Sequence, residues 1–287
     1  LRSRLEEMNK LLNWKKFLSL FPKRESLRGR PNYEKILMLK LMFLQGWYGL
    51  SDEELEFQVN DRLSFQQFLG FPNFIPDYST IWRFREELEE DNITDKIWSE
   101  LQNQIKEKNI VVENGVIQDA SFIIAEPGKT DSGMDNRGQT AKTSRNRDGS
   151  WTKKEKKSYF GYKVHTKMRR GSKIVESLAV TTARVSDNAI DLADPKDIVY
   201  RDKGYTGTKT KALGDGTMKR GNLTPHEELR NKRIQKKRSQ GEHPFGTIHR
   251  AMNGGETRLT TIYRVVVQQI FVFAAYNLFR LATLMRT

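Results

Sequence analysis

The sequence predicts an α/β protein: a helical N-terminal region, then a mixed β-sheet domain that closes with C-terminal helices. Three observations predict it. Apolar residues recur at helical spacing as far as residue 110. Short apolar or alternating runs replace that spacing between residues 110 and 202. The most apolar stretch, 262 to 284, returns to helical spacing.

In the N-terminal region, Leu11, Leu12, Trp14, Phe17, Leu18 and Phe21 make one amphipathic stretch. Pro31 opens the next, with Ile36, Leu37, Leu39, Leu41, Phe43 and Leu44 as its core face and Gly46 and Gly49 as its end. Ser51 with Glu54 three residues on is a capping-box pattern, and Leu55, Val59 and Leu63 follow it. Residues 71–76 form a break, after which Asp77 or Ser79 caps a helix over 80–88. A short helix, a tight connection and a helix opening with Ser, Thr, Trp and Arg resembles a helix-turn-helix reader of DNA. The same pattern reads equally well as a helical bundle with Trp82 and Phe84 in its core.

From Asn109 the character changes. Ile110 to Ile123 is β-like, Asn114-Gly115 is a hairpin signal, and Ile117, Asp119, Ser121 and Ile123 share one face. Residues 125 to 158 are polar and basic and are expected to form a loop. Residues 160–167 and 174–180 read as a hairpin, 187–192 as a short helix and 198–202 as the next strand. Residues 208 to 240 are rich in Lys and Arg and poorly periodic; a helix then starts near Gly241-Glu242, with Pro244 in its first turn. Strand, hairpin, strand, helices is the order of a ribonuclease-H-like fold. The expected domains are 1–108, helical and DNA-binding, and 109–287, the catalytic sheet domain with the basic loop 125–158.

The 287 residues carry 50 Lys+Arg against 36 Asp+Glu, a formal charge of +14, which favours a polyanionic partner. The absence of cysteine excludes disulfides, cysteine-zinc sites and thiol catalysis, and four histidines argue against a His-rich metal site. Oxygen ligands remain, which suit Mg²⁺ or Mn²⁺. The charged opening Leu1-Arg2-Ser3-Arg4 is unlike a secretory leader, and a first residue other than Met leads to the expectation of residues missing upstream. Arg264, Gln268, Gln269, Asn277 and Arg280 interrupt the apolar 262–284 stretch, so it is expected to be a buried helix and not a membrane span.

Three acids stand out: Asp119 after Val116-Ile117-Gln118, Asp202 in Tyr200-Arg201-Asp202-Lys203-Gly204-Tyr205, and Glu242 in Gly241-Glu242-His243-Pro244-Phe245-Gly246. Each alone has an ordinary reading: a strand end, a turn, and an acid at a helix N-terminus. Together, on successive elements of a basic chain, they read as a carboxylate cluster. Two Mg²⁺ ions about 3.5–4 Å apart cleave a phosphodiester by in-line displacement. Asp119 is the expected bridge, with Asp202 on one ion and Glu242 on the other.

These residues carry a resemblance. The chain is similar to the DDE transposases of the insertion-sequence 5 group and its relatives, over nearly its whole length. Asp202-Lys203-Gly204-Tyr205 and residues 242–248 are the most specific matches. Residues 50–56, 76–85, 148–154, 160–165, 180–187 and 275–281 add to them. The resemblance implies catalytic, metal-binding Asp119, Asp202 and Glu242, and two Mg²⁺ for which Mn²⁺ substitutes. It implies double-stranded DNA as partner, both terminal inverted repeats and target, bound by a homodimer. It implies strand cleavage at the element ends, joining of the 3′ ends to target DNA, and a cytoplasmic, nucleoid-associated location in a prokaryote. Two positions depart from the family signature: Gln235 stands where a tyrosine is expected and His249 where a lysine is, with Arg250 next door to supply the charge. The alternatives are an inactive or domesticated DNA-binding relative, and a metal-dependent nuclease without strand transfer.

The expected DNA contacts are Thr80, Trp82, Arg83 and Arg85 in the N-terminal reader, Trp151, Lys153 and Lys154 in the basic loop, and Lys203, Arg238 and Arg250 beside the acids. Arg201 is read as a phosphate contact or a charge balance, and residues 232–238 as a phosphate track or a solvated helix face. His165 is read as structural.

Overall fold

A computed structural model describes residues 4–22, 33–90, 92–110, 115–127, 148–154 and 156–286, except the side chains of Glu90 and Lys154. Helices α1 (Arg4–Leu11), α2 (Lys35–Tyr48), α3 (Asp52–Asp61), α4 (Leu63–Leu69), α5 (Tyr78–Glu90) and α6 (Ile93–Lys106) form the N-terminal region. Pro31 lies outside the described residues, and α2 begins at Lys35.

Local chemistry explains most boundaries. Ser51 accepts from Glu54 N and starts α3, and Asp77 accepts from Thr80 N ahead of α5. The stretch expected to be one helix over 11–21 is instead a 3₁₀ turn, Trp14–Leu20, because the Asn13 side chain accepts from Lys15 N and interrupts the run. Gly49 ends α2 in the left-handed conformation, at φ 63°. Gly46 does not end it. It lies inside the helix, where a Cβ would stand 2.6 Å from the Phe271 carbonyl carbon.

The sheet joins β1 (Val116–Ala125), β2 (Ser150–Lys154), β3 (Lys157–Arg169), β4 (Val175–Thr182), β5 (Ile198–Arg201), β6 (Gly214–Thr217) and β7 (Glu256–Thr257). β1 pairs antiparallel with β3, and β3 antiparallel with both β2 and β4. On its other side β1 runs parallel to β5, and β5 parallel to β6. Antiparallel strands on one side of β1 and parallel ones on the other make this the mixed sheet of a ribonuclease-H-like domain.

The structure departs from the sequence pattern in three places. Residues 125–158 are not all loop: 150–154 form β2 and β3 starts at Lys157, although most of the segment lies outside the described residues. Asn114 also lies outside them, and Gly115 leads into β1 while Ile110 belongs to no strand. Residues 208–240 hold both the short strand β6 and a full helix, α7 (Pro225–Arg238). Thr224 and Glu227 cap α7 reciprocally, with Pro225 in its first turn. That capping box was readable in the sequence.

α8 (Glu242–Ala251) and α9 (Ile262–Leu284) complete the chain. α9 is long and apolar enough to cross a membrane by length and composition, but 72% of that stretch is buried in the protein. Val267, Phe271, Ala274, Leu278 and Leu281 join the core of the N-terminal helices, while Val265, Val272, Phe273, Ala275 and Tyr276 join the core under the sheet.

Candidate active site

The pairing of β1 with β5 brings two acids side by side. Val116 pairs with Val199 and Ile117 with Tyr200. Continuing that register aligns Gln118 with Arg201 and Asp119 with Asp202, on strands about 4.8 Å apart. Asp119 thus lies inside β1 and not at its end, and Asp202 follows the last residue of β5.

Asp119 is largely buried. Its Oδ1 accepts from Ala120 N at 3.0 Å and its Oδ2 from Arg238 Nη2 at 3.0 Å. Burial raises its pKa above the ordinary carboxylate value; Arg238 opposes that shift and the Asp202 charge adds to it. Arg238 is held in turn by Gln235 Oε1 at 3.1 Å. Gln235 therefore orients the arginine that balances Asp119. Asp202 accepts from Gly204 N at 2.7 Å, which fixes the turn after β5. A further carboxylate stands beside it: a Cβ on Gly204 would meet Asp202 Oδ1 at 2.8 Å and Asp187 Oδ2 at 3.2 Å. Lys163 holds Asp187 at 2.8 Å. In sequence Asp187 reads as a helix start and as the end of the 180–187 match, and neither reading marks it as a neighbour of Asp202.

The mixed sheet thus carries Asp119 inside β1 and Asp202 just after β5. Residues 113–278 match the family model "Transposase DDE domain", and residues 1–87 match "Transposase domain (DUF772)". The chain belongs to the DDE transposases. No solved structure matches it. The family accounts for the DNA substrate and for the use of divalent metal ions.

In this transposase the third acid, Glu242, is the first residue of α8 and is exposed. Its neighbour Gly241 packs on β1, where a Cβ would stand 2.8 Å from Ile117 Cγ2 and 3.5 Å from Asp119 Oδ2. The donors suit a divalent cation in kind, since carboxylate oxygens are hard ligands. Their placement is looser: among the described residues no three Asp, Glu, His or Cys side chains stand close enough to hold an ion together. The Arg238 guanidinium supplies positive charge at Asp119 instead.

Beneath the two aspartates lies a buried polar network. Gln118 Oε1 accepts from Arg201 Nε at 3.1 Å, from Arg201 Nη2 at 2.8 Å and from Leu192 N at 3.2 Å; its Nε2 donates to Ile190 O at 2.7 Å. Arg201 also pairs with Asp191, which accepts from Lys211 N at 2.8 Å. Arg201 is fully buried, so it balances charge inside the protein and touches no phosphate. The Tyr205 hydroxyl, close to Asp119, Asp187 and Asp202, is buried without a hydrogen-bond partner.

The expected DNA contacts divide by exposure. Trp82, Arg83, Trp151, Lys153, Lys203 and Arg250 are exposed. Arg83 bonds Ser79 O at 3.2 Å and Thr80 Oγ1 at 3.3 Å, and Arg264 covers one face of Trp82 at 5.8 Å. Arg85 is buried, bound to Asp52 and to Gln45 Oε1 at 3.0 Å, and so has no surface to offer DNA. The Lys154 side chain lies outside the described residues. His249, at the position of the family's lysine, reaches β1 instead and meets Ser121 Oγ at 3.2 Å. His165 is buried against Thr181 Oγ1 at 2.9 Å, a structural place.

Proposed function

We propose that this DDE transposase belongs to the insertion-sequence 5 group and moves an element by cutting DNA at its terminal inverted repeats and joining the 3′ ends to a target. The observation that carries this is the parallel pairing of β1 with β5, whose register, continued two residues past Ile117 and Tyr200, sets Asp119 opposite Asp202. Asp119, Asp202 and Glu242 would hold two Mg²⁺ ions, with Mn²⁺ as substitute. Lewis-acid stabilisation of charge on the phosphate is what such cations supply when bound. Asp119 orients through β1 and Asp202 through the turn that follows β5, and Gly241 lets the start of α8, where Glu242 stands, approach β1. Cleavage breaks a phosphodiester with water as nucleophile and leaves a 3′-hydroxyl. That hydroxyl then displaces a target 3′ oxygen at phosphorus. Residues 1–108 would read the repeats, with Thr80, Trp82 and Arg83 on α5 facing DNA. Trp151, Lys153, Lys154, Lys203, Arg238 and Arg250 would serve the catalytic side. Joining two ends calls for a homodimer on DNA.

The test is strand cleavage of a plasmid carrying the flanking repeats, run with Mg²⁺, with Mn²⁺ and with chelator. Metal-dependent nicks at the repeat ends are expected, abolished in Asp119→Ala and in Asp202→Asn, with DNA binding by Asp202→Asn spared. Cleavage retained by Asp202→Asn would sink the assignment. Nicks scattered away from the ends, with no strand transfer, would leave a plain nuclease. Binding without cleavage under every metal would leave an inactive relative.

A further inference from the structure

On the outer side of β5 and β6 a groove of about 310 Å³ runs along α7, lined by Arg230, Arg233 and Lys237 of the helix and by Tyr200, Gly214 and Gly216 of the strands. The three cations are spaced at i, i+3 and i+7, which places them on one face of α7. Two are held in place. Arg230 donates to Thr217 O at 2.8 Å and Asp215 O at 3.2 Å, and Lys237 donates to Tyr200 Oη at 3.1 Å. The third, Arg233, is exposed and makes no hydrogen bond or ion pair among the described residues. The carboxylate in the lining, Asp215, is engaged at 2.9 Å by Thr217 N. Three cations therefore face this groove against one acid that is already hydrogen-bonded. The edge strand adds glycines whose bare backbone keeps the groove open: a Cβ on Gly216 would stand 2.6 Å from the Tyr200 ring.

The groove also points somewhere. α7 ends at Arg238, whose guanidinium lies on Asp119. Lys237, one residue earlier, is already in the groove. From Arg230 to Arg238 the helix rises about 12 Å. That length matches about three phosphates of one strand at roughly 3.4 Å of duplex axis each.

We propose that this groove binds the backbone phosphates of the DNA strand that enters the Asp119–Asp202 site. The proposal rests on the transposase reading and adds to it a sequence-independent track on α7. Backbone contacts position a duplex without reading its bases, so the track serves terminal and target DNA alike.

The probe is a fluorescent random-sequence duplex, titrated with the full chain between about 50 and 200 mM salt. The wild type is compared with Arg233→Gln, with Arg233→Gln/Lys237→Gln, and with Lys232→Gln/Lys236→Gln on the outer face of the same helix. Arg233 makes no hydrogen bond or ion pair among the described residues, so its substitution is expected to leave the fold intact. Each phosphate that the groove no longer neutralises makes the slope of log K against log salt shallower by about 0.9. The groove pair is expected to flatten the slope by about 1.8 and the outer pair by less than half of that. Equal flattening by both pairs, or an unchanged slope in the groove pair, would overturn the groove while leaving the transposase reading in place. A wild type with no affinity for DNA would overturn both.

Discussion

Asp119 and Asp202 owe their geometry to residues that do no chemistry. Gln118 and Arg201 precede them on adjoining strands, and Asp191 closes the set from the loop that leads into β5. Breaking a buried ion pair from one side leaves the other charge unpaired, at a cost of about 3–5 kcal/mol. Asp191→Ala is therefore expected to destabilise by about that much in urea unfolding; a change under about 1 kcal/mol would remove Arg201 from the role of buried anchor. His165 gives a second residue-scale prediction. Burial lowers its pKa from 6.5 to about 4. The unfolded chain then takes a proton near pH 6.5 that the folded chain refuses until near 4. Stability is full above that upper value and falls by about 3 kcal/mol as pH drops across the window. His165→Gln should flatten the acid limb of the stability profile, and an unchanged limb would assign it to other groups.

At the scale of the element, the helix-to-helix packing of α2 on α9 turns on one glycine. Helix propensity alone says that Gly46→Ala stabilises by about 1 kcal/mol. The added methyl would meet Phe271 backbone at 2.6 Å, and backbone cannot step aside as a side chain does. Overpacking of that kind costs about 1–3 kcal/mol, so the sign reverses. Thermal unfolding of Gly46→Ala should show a lower Tm, and a higher one would mean that α2 and α9 separate easily. α7 shows the opposite relation between sequence and structure. Its composition is too charged for an apolar stripe, yet its Thr-Pro-x-Glu start announces a helix. Periodicity alone misses it within 208–240, because α7 buries only Asn231 and Ile234 of its own residues.

For the whole molecule the decisive element is α9. One set of its side chains completes the N-terminal helical core and another completes the core under the sheet. A fragment of residues 1–108 lacks Phe271, Leu278 and Leu281, which share one core with the N-terminal helices. The fragment alone is expected to give helical circular dichroism without a cooperative thermal transition, whereas the full chain unfolds in one transition. A sharp, independent transition in the fragment would show that the reader folds without α9. The ion pair of Arg264 with Glu86, at 2.7 Å, ties α5 to α9 as well, so the helix expected to face DNA is anchored to the element that supports the sheet.

The sequence by itself determined the class of fold and singled out the three acids, because periodicity, caps and the Asp-Lys-Gly-Tyr motif are local signals, while β2, β6 and α7 escaped it. The absence of cysteine also excluded thiols as metal ligands. What it left undecided were partnerships across the chain. Arg201 and Arg85 look like phosphate contacts in sequence, and burial turned both inward onto Asp191 and Asp52. Arg238 met Asp119, and Asp187 met the Gly204 turn, across separations that no spacing rule reaches. Only the tertiary structure decides such pairs. A charge leaves water only where a partner from elsewhere in the chain replaces its hydration, and the folded sheet selects that partner.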